Sequence, residues 1–252
     1  MEMDPLSASY LTVVFLAFLS GGTTLIGVAL AIAIGNNPKM TAVGIGFSTG
    51  IMMLISLCEL VPESLRMAGP AATSVSVGLG AVLIHSLHVA IPHLHLGREQ
   101  AKPTAEMRAA YLIVFGLILH DVPEGFAMAN AFLASPSLGV MVAVAIALHN
   151  IPEEFAMAVP AVSVKNRAFL FKAAILSGFA EPAGAILGLL AVHVNPGLNP
   201  ALMGFAAGAM VIVSLFELVP MARKYSRPWY FALGLAASGL VYLALQSLFP
   251  ET

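Results

Sequence analysis

His149-Asn150-Ile151-Pro152-Glu153-Glu154, with its near copy His120-Asp121-Val122-Pro123-Glu124-Gly125, decides how this chain is read. Both stretches lie in the middle of apolar runs long enough to cross a bilayer. In each, an imidazole and a carboxylate stand four residues apart. On a helix the two side chains therefore share a face and can grip one ion. The pattern is metal-ligand geometry inside a membrane.

Outward from these motifs, the composition excludes a soluble domain. Of 252 residues, 59% are hydrophobic and 10% charged, with a mean hydropathy of +0.93, outside the range of water-soluble folds. Runs of the ~20 apolar residues needed to cross a hydrocarbon core fall near 8–34, 41–62, 72–92, 109–132, 138–161, 168–192, 200–221 and 229–249. The expectation is an all-α integral membrane protein of eight transmembrane helices, a single transmembrane domain over 1–252. Glu2 and Asp4 precede the first run, and no Lys or Arg occurs before Lys39. The basic region of a cleavable signal peptide is missing, so the first run is read as a retained span. Cys58 is the one cysteine, which rules out an intramolecular disulfide.

The basic residues orient the spans. Lys39 falls in the first connection, Arg66 in the second, and Arg98, Lys102 and Arg108 in the third. Lys165, Arg167 and Lys172 flank the fifth, and Arg223, Lys224 and Arg227 lie in the seventh. Ten of the eleven thus mark odd-numbered connections. Cytoplasmic loops collect Lys and Arg, which places the odd connections, including the polar loop 97–108, in the cytoplasm and both termini outside. Trp229 and Tyr230, beside Arg227, suit an aromatic belt at the inner interface.

Phe47 to Pro62 recurs as Phe205 to Pro220, sharing Gly50 with Gly208 and Ser56-Leu57-x-Glu59-Leu60-Val61-Pro62 with Ser214-Leu215-x-Glu217-Leu218-Val219-Pro220. The second span thus resembles the seventh, and by the two metal motifs the fourth resembles the fifth. More weakly, Ser20-Gly21 with Gly27 echoes Ser177-Gly178 with Gly184. The members of each pair run in opposite directions in this topology, so spans 1–3 (residues 1–96) and 6–8 (168–252) are inverted repeats around the metal-site helices of 109–162. Transporters built this way hold their substrate near the midplane at the repeat interface.

The chemistry concentrates at one depth. His120, Asp121 and Glu124 sit halfway along the fourth span, His149, Asn150, Glu153 and Glu154 halfway along the fifth, and Glu181 at the middle of the sixth. An ionised carboxylate there costs about 2.5–3.5 kcal/mol on insertion scales, and no Lys or Arg lies at matching depth. A buried hydrogen-bonded polar network is the plainer reading of such a cluster. A divalent metal accounts better for five acidic residues beside two imidazoles, and mixed nitrogen and oxygen donors suit Zn²⁺, Fe²⁺ or Mn²⁺. The fourth and fifth spans are joined by Ser135-Pro136-Ser137, so they pack antiparallel, close enough for Glu124 and Glu153 to bridge two ions. Pro123 and Pro152 remove backbone donors and are expected to kink their helices.

Elsewhere the signals are thinner. Glu59 and Glu63 are placed near the outer mouth and Glu217 near the inner one, either snorkelling or guiding cations. His85 and His88 read as packing residues, while His93 and His95 suggest a cytoplasmic collecting point. The eighth span, with Ser238, Tyr242 and Gln246 but no charge, reads as a packing helix.

Assembled, these residues resemble the ZIP (Zrt-/Irt-like) metal transporters, most closely their bacterial, ZupT-type branch. The family's His-Asn-x-Pro-Glu-Gly and His-Asn-x-Pro-Glu motifs correspond to His120–Gly125 and His149–Glu153. Gly50-Ile51-Met52, Ser56-Leu57-Cys58-Glu59, Pro92-His93-Leu94-His95 and Ser177-Gly178-Phe179-Ala180-Glu181 extend the match over nearly the whole chain. The resemblance implies eight helices in a bacterial inner membrane, a plausible homodimer, and import of Zn²⁺, often with Fe²⁺, Mn²⁺, Co²⁺ or Cd²⁺, as substrate and not as a catalytic cofactor. It implies that His120, Glu124, His149 and Glu153 hold the transported ion with Met52 beside it. Asp121, Asn150 and Glu181, sharing Glu124 and Glu153, would form a second site. Asp121 stands where the family has Asn, and Glu154 where it has Gly; the added charge at Asp121 is expected to tighten the second site or favour harder ions.

The rival class is a membrane-embedded two-metal enzyme or a metal sensor, because inward-facing Glu and His on helical cores also build di-iron sites. His-Glu-x-x-His is absent, and inverted repeats with acidic groups at both mouths favour a path through the membrane. A transporter, not an enzyme, is expected.

Overall fold

The computed structural model describes residues 5–95, 105–162 and 167–250, with side chains described over 9–90, 120–159, 162 and 170–250. The polar connection expected over 97–108 falls largely outside the described residues. So do the side chains of His93, His95, Arg98, Lys102, Arg108, Lys165 and Arg167.

Every described element is helical. The chain runs through α1 (Pro5–Ile34), α2 (Pro38–Leu54), a π-helical turn (Ile55–Leu60), α3 (Val61–His95), α4 (Ala105–Ala134), α5 (Pro136–Val162) and α6 (Arg167–Val194). It continues through a short 3₁₀ turn (Pro196–Leu198), α7 (Asn199–Val213), a second π-helical turn (Ser214–Leu218), α8 (Val219–Lys224) and α9 (Pro228–Leu248). Six helical stretches among the described residues are long and apolar enough to cross a membrane, which makes this a multi-pass membrane protein. One of them, Pro38–Ala90, is 53 residues long, about 80 Å at 1.5 Å per residue against a hydrocarbon core of about 30 Å. It does not run straight. Gly69 takes φ 77° and ψ 172°, a backbone that side chains resist, and the chain folds back there. Ser64 Oγ and Thr73 Oγ1, nine residues apart, consequently meet at 3.0 Å.

Local chemistry explains the other boundaries. Asn37 caps α2 through Oδ1, which accepts from the Met40 amide at 3.3 Å, with Pro38 in the first helical turn. Only Ser135 separates α4 from α5. Its hydroxyl accepts from Leu138 N at 3.4 Å, so the two helices turn on a single residue and pack side by side. Both continue as helix through Pro123 and Pro152. Two π-helical turns occupy corresponding positions of the Ser-Leu-x-Glu-Leu-Val-Pro repeat. In each, the amide after the turn bonds five residues back, Val61 to the Ser56 carbonyl and Val219 to that of Ser214. The widened turn relieves the clash that Pro62 and Pro220 would otherwise make with the preceding turn.

Helix neighbours follow a regular pattern. α1 packs on α5 and α6 packs on α4; α2 packs on α9 and α3 on α7; α2 also meets α5 and α7 meets α4; α1 crosses α6 and α4 lies along α5. Exchanging α1 with α6, α2 with α7, α3 with α9 and α4 with α5 leaves these neighbours unchanged. Small residues permit the close crossings, as expected where lipid supplies no hydrophobic drive between helices. Gly21 and Gly178 lie backbone against backbone, and Gly125 lies against the Glu181 carbonyl. The core is rich in Ala and Met, with Ala127, Met128, Ala131, Ala145, Ala207 and Met210 fully buried.

Candidate metal centre

The antiparallel packing of α4 on α5 brings the two motifs together. His120, Asp121, Glu124, His149, Asn150, Glu153, Glu154 and Glu181 are all 4% exposed or less. At their centre, one ligand atom each of Glu124, His149 and Glu153 lies within 4.8 Å of the others. His149 Nε2 is 3.2 Å from Glu124 Oε1 and 3.8 Å from Glu153 Oε2. Its Nδ1 lies 2.9 Å from the Ala145 carbonyl and donates there, which orients the ring so that Nε2 faces the two carboxylates, within hydrogen-bond distance of Glu124 Oε1. The Ser48 hydroxyl, donating to the His149 carbonyl at 3.0 Å, ties this turn of α5 to α2.

His120 is held the other way round. Its Nε2 lies 2.9 Å from Glu217 Oε2 and its Nδ1 2.9 Å from Glu153 Oε1, the latter without hydrogen-bond geometry. A ring protonated at Nε2 donates to Glu217 and leaves Nδ1 as the atom facing Glu153, the carboxylate–histidine arrangement common behind metal ligands. Glu217 Oε2 also lies 3.5 Å from His88 Nδ1. Sequence reasoning assigned Glu217 to the inner mouth and His88 to packing. The structure adds their partners: the π-helical turn carries Glu217 onto the back of His120, and His88 stands beyond it. His85 does pack, its ring 5.0 Å from that of Phe216.

On the α6 side, Asn150 Nδ2 donates to Glu181 Oε2 at 3.1 Å, and the Ser177 hydroxyl donates to Asp121 Oδ2. In the sequence Ser177 stands in a weak repeat with Ser20 and in the Ser177-Gly178-Phe179-Ala180-Glu181 match to the family, neither of which gives it a role. Met52 is fully buried, and its sulfur accepts from the Ser214 hydroxyl at 3.7 Å. It lies one turn along α2 from Ser48. Buried oxygens of Glu124, Glu153, Glu154 and Glu181 have no hydrogen-bond partner. In a protein interior such atoms are rare and costly, and a cation is the group that would satisfy several together.

In the first π-helical turn, Glu59 is 7% exposed and accepts from the Tyr242 hydroxyl and from Gln246 Nε2, the latter at 3.1 Å. α9 is therefore more than a packing helix, since it supplies both donors. Glu59 borders a cavity of about 440 Å³ lined also by Cys58, Glu63, Arg66, Gln246 and Phe249, where Arg66 pairs with Glu63.

A bundle of membrane-spanning helices enclosing a cluster of histidines and carboxylates defines a polytopic membrane protein equipped to handle metal ions. Comparison with known proteins gives its family. The model of the ZIP Zinc transporter family matches residues 89–249. The chain is 37% identical over 253 residues to the zinc transporter ZupT of Salmonella paratyphi A, covering 92% of this chain and 96% of the relative. It is 36% identical over 252 residues, with the same coverage, to the protein of that name from Escherichia fergusonii. Against that of Stenotrophomonas maltophilia it is 36% identical over 227 residues, covering 83% and 84%. The chain belongs to the ZIP zinc transporter family.

Proposed function

We propose that this chain imports divalent transition-metal ions across the membrane into the cytoplasm, Zn²⁺ foremost and Fe²⁺, Mn²⁺, Co²⁺ or Cd²⁺ with it, through a two-metal site at the midplane. The carrying observation is the buried Glu124, His149 and Glu153 triad, with ligand atoms inside 4.8 Å of one another and carboxylate oxygens that nothing else satisfies. In the first position His120, Glu124, His149 and Glu153 hold the ion, with Met52 nearby. In the second, Asp121, Asn150 and Glu181 share Glu124 and Glu153. Metal is cargo here, and the relatives are named as zinc transporters.

The path follows from the same placement. An ion entering the cavity beside Glu59 and Glu63 loses water to the midplane ligands and leaves past Glu217 and His88. Eight spans, both termini outside and inverted repeats of α1 to α3 against α6 to α9 complete this reading. The neighbour pattern that survives exchange of the two halves and the matching π-helical turns support it. A homodimer in a bacterial inner membrane is the expected setting.

Uptake into proteoliposomes of the purified protein tests the proposal, comparing Zn²⁺, Fe²⁺ and Mn²⁺. Uptake that disappears in Glu153→Ala and His149→Ala supports it. Tight binding with no uptake by the intact protein would move the function to a metal sensor.

A further inference from the structure

The outer side of α5 is indented beside its metal motif. A groove of about 360 Å³ runs between α1, α2, α5 and α9, lined by Leu30, Ile34, Met40, Val43, Pro152 and Phe155. Apart from Lys39 and Tyr230, every residue lining it is apolar. Leu30, Ile34 and Met40 are exposed, so the groove opens toward the bilayer and not into the bundle. Its floor is tight, since a Cβ on Gly44 would stand 3.0 Å from the Pro152 carbonyl. Pro152 immediately precedes Glu153. Whatever fills the groove therefore lies against the turn of α5 that carries His149 and Glu153.

An apolar lining selects no lipid by itself, because all lipid tails are as apolar as the groove. The mouth is different. Lys39 and Tyr230 stand in the first turns of α2 and α9, and Lys39 Nζ is 5.5 Å from the centre of the Tyr230 ring, within cation–π reach. Among the described residues that ammonium has no ion-pair partner. No Asp or Glu occurs in residues 28–58 or 218–231, which surround the mouth, whereas Arg223, Lys224 and Arg227 lie in the second stretch. Trp229 is exposed beside them, an aromatic of the kind that settles at headgroup level. Five residues of α2 separate Lys39 from Gly44, about 7.5 Å at 1.5 Å per residue. The groove thus leads from an unneutralised cation at headgroup depth into the hydrocarbon.

We propose that this groove binds an anionic phospholipid, its phosphate on Lys39 and the Tyr230 hydroxyl and one acyl chain laid along α5 as far as Pro152. Basic pockets between membrane helices select such headgroups by charge. A zwitterionic lipid brings the same chains with a neutral headgroup and gains less from a basic mouth. The site uses none of the metal ligands, and its test needs no metal.

Native mass spectrometry of the delipidated full-length protein in detergent, offered equal amounts of phosphatidylglycerol and phosphatidylcholine with matched chains, tests it. The wild type is expected to retain phosphatidylglycerol in preference. Lys39→Gln should reduce that preference about fivefold, the effect of one basic residue at an anionic surface. Lys224→Gln, at the same end but outside the groove, should leave it unchanged. Val43→Phe, which fills the groove, should lose bound lipid of both kinds while keeping the wild-type melting temperature. Equal retention of the two lipids by wild type, or a Lys39→Gln protein with wild-type preference, overturns the proposal. An equal loss in Lys224→Gln overturns it too, since the preference would then belong to diffuse surface charge. Wild-type retention by Val43→Phe would place the lipid outside this groove.

Discussion

His120 Nε2 sits 2.9 Å from Glu217 Oε2, joining the first metal motif to the π-helical turn after α7 across 97 residues of sequence. Glu217 is thereby a positioning residue that fixes which nitrogen of His120 faces Glu153. Glu217→Gln keeps the size but replaces a carboxylate acceptor with an amide. Zn²⁺ affinity is expected to fall about 10–100-fold, the usual cost of losing the group behind a ligand. Titration of purified protein with a competing chelator measures it. Unchanged affinity would mean that His120 orients without help.

Glu153 should matter differently to metal binding and to heat stability. In the metal-free protein, Glu153→Ala removes a buried carboxylate oxygen that has no hydrogen-bond partner, so apo stability should hold or rise. The stabilisation that Zn²⁺ gives wild type, about 2.7 kcal/mol at a hundredfold excess over Kd, should vanish. Thermal melts in detergent with and without Zn²⁺ read both effects. A variant still stabilised by Zn²⁺ would place the ion elsewhere.

Protons compete with the ion for the same atoms. Binding requires a neutral imidazole and ionised carboxylates, so Zn²⁺ affinity weakens as pH falls and each displaced proton adds a slope of about one to log Kd against pH. Chelator titrations over a pH series give the slope. A flat profile would exclude His149 and Glu124 as ligands.

In the proposed second position, Asp121 carries a charge that an asparagine would not. Asp121→Asn leaves a side chain of the same size that can still accept from Ser177. Competition between Mn²⁺ and Zn²⁺ in liposome uptake should shift toward Zn²⁺ by about 1.4 kcal/mol for a tenfold change in preference. An unaltered ranking would show that Asp121 does not set selectivity.

Gly21 and Gly178 mark the crossing of α1 and α6, where a Cβ on Gly21 would run into the Gly178 carbonyl. Backbone cannot swing aside as a side chain can. Gly21→Val should therefore cost about 1–3 kcal/mol of stability, the range for overpacking, seen as a lowered melting temperature in detergent. A neutral substitution would mean that the crossing is loose.

Much of this protein was legible from residue order, because the membrane enforces simple rules. Backbone polar groups in hydrocarbon must bond within their own helix, so long apolar runs such as 168–192 could be read as helices with no knowledge of their neighbours. Charges are costly at that depth, so His120, Glu124, His149 and Glu153 stood out as a site. The repeat of Ser56 to Pro62 at Ser214 to Pro220 was equally plain. What the repeat concealed was its outcome. Glu217 ends against His120, while its counterpart Glu59 ends against Tyr242 and Gln246 of α9. The same residues in the same local turn meet different partners, since partners come from helices distant in sequence.

Residue order by itself determined that the chain is helical, embedded in a membrane and built around two facing imidazole and carboxylate motifs. Hydropathy and i to i+4 spacing are properties of single helices. Only the tertiary structure decided which nitrogen of each histidine faces the centre, that Ser177 links Asp121 to Glu154, and that Glu217 and His88 stand behind His120. Those relations depend on how closely α1, α4, α5, α6 and α7 approach and at what rotation. Side-chain volumes and glycine contacts across many helices set these, and no one of those helices specifies them alone.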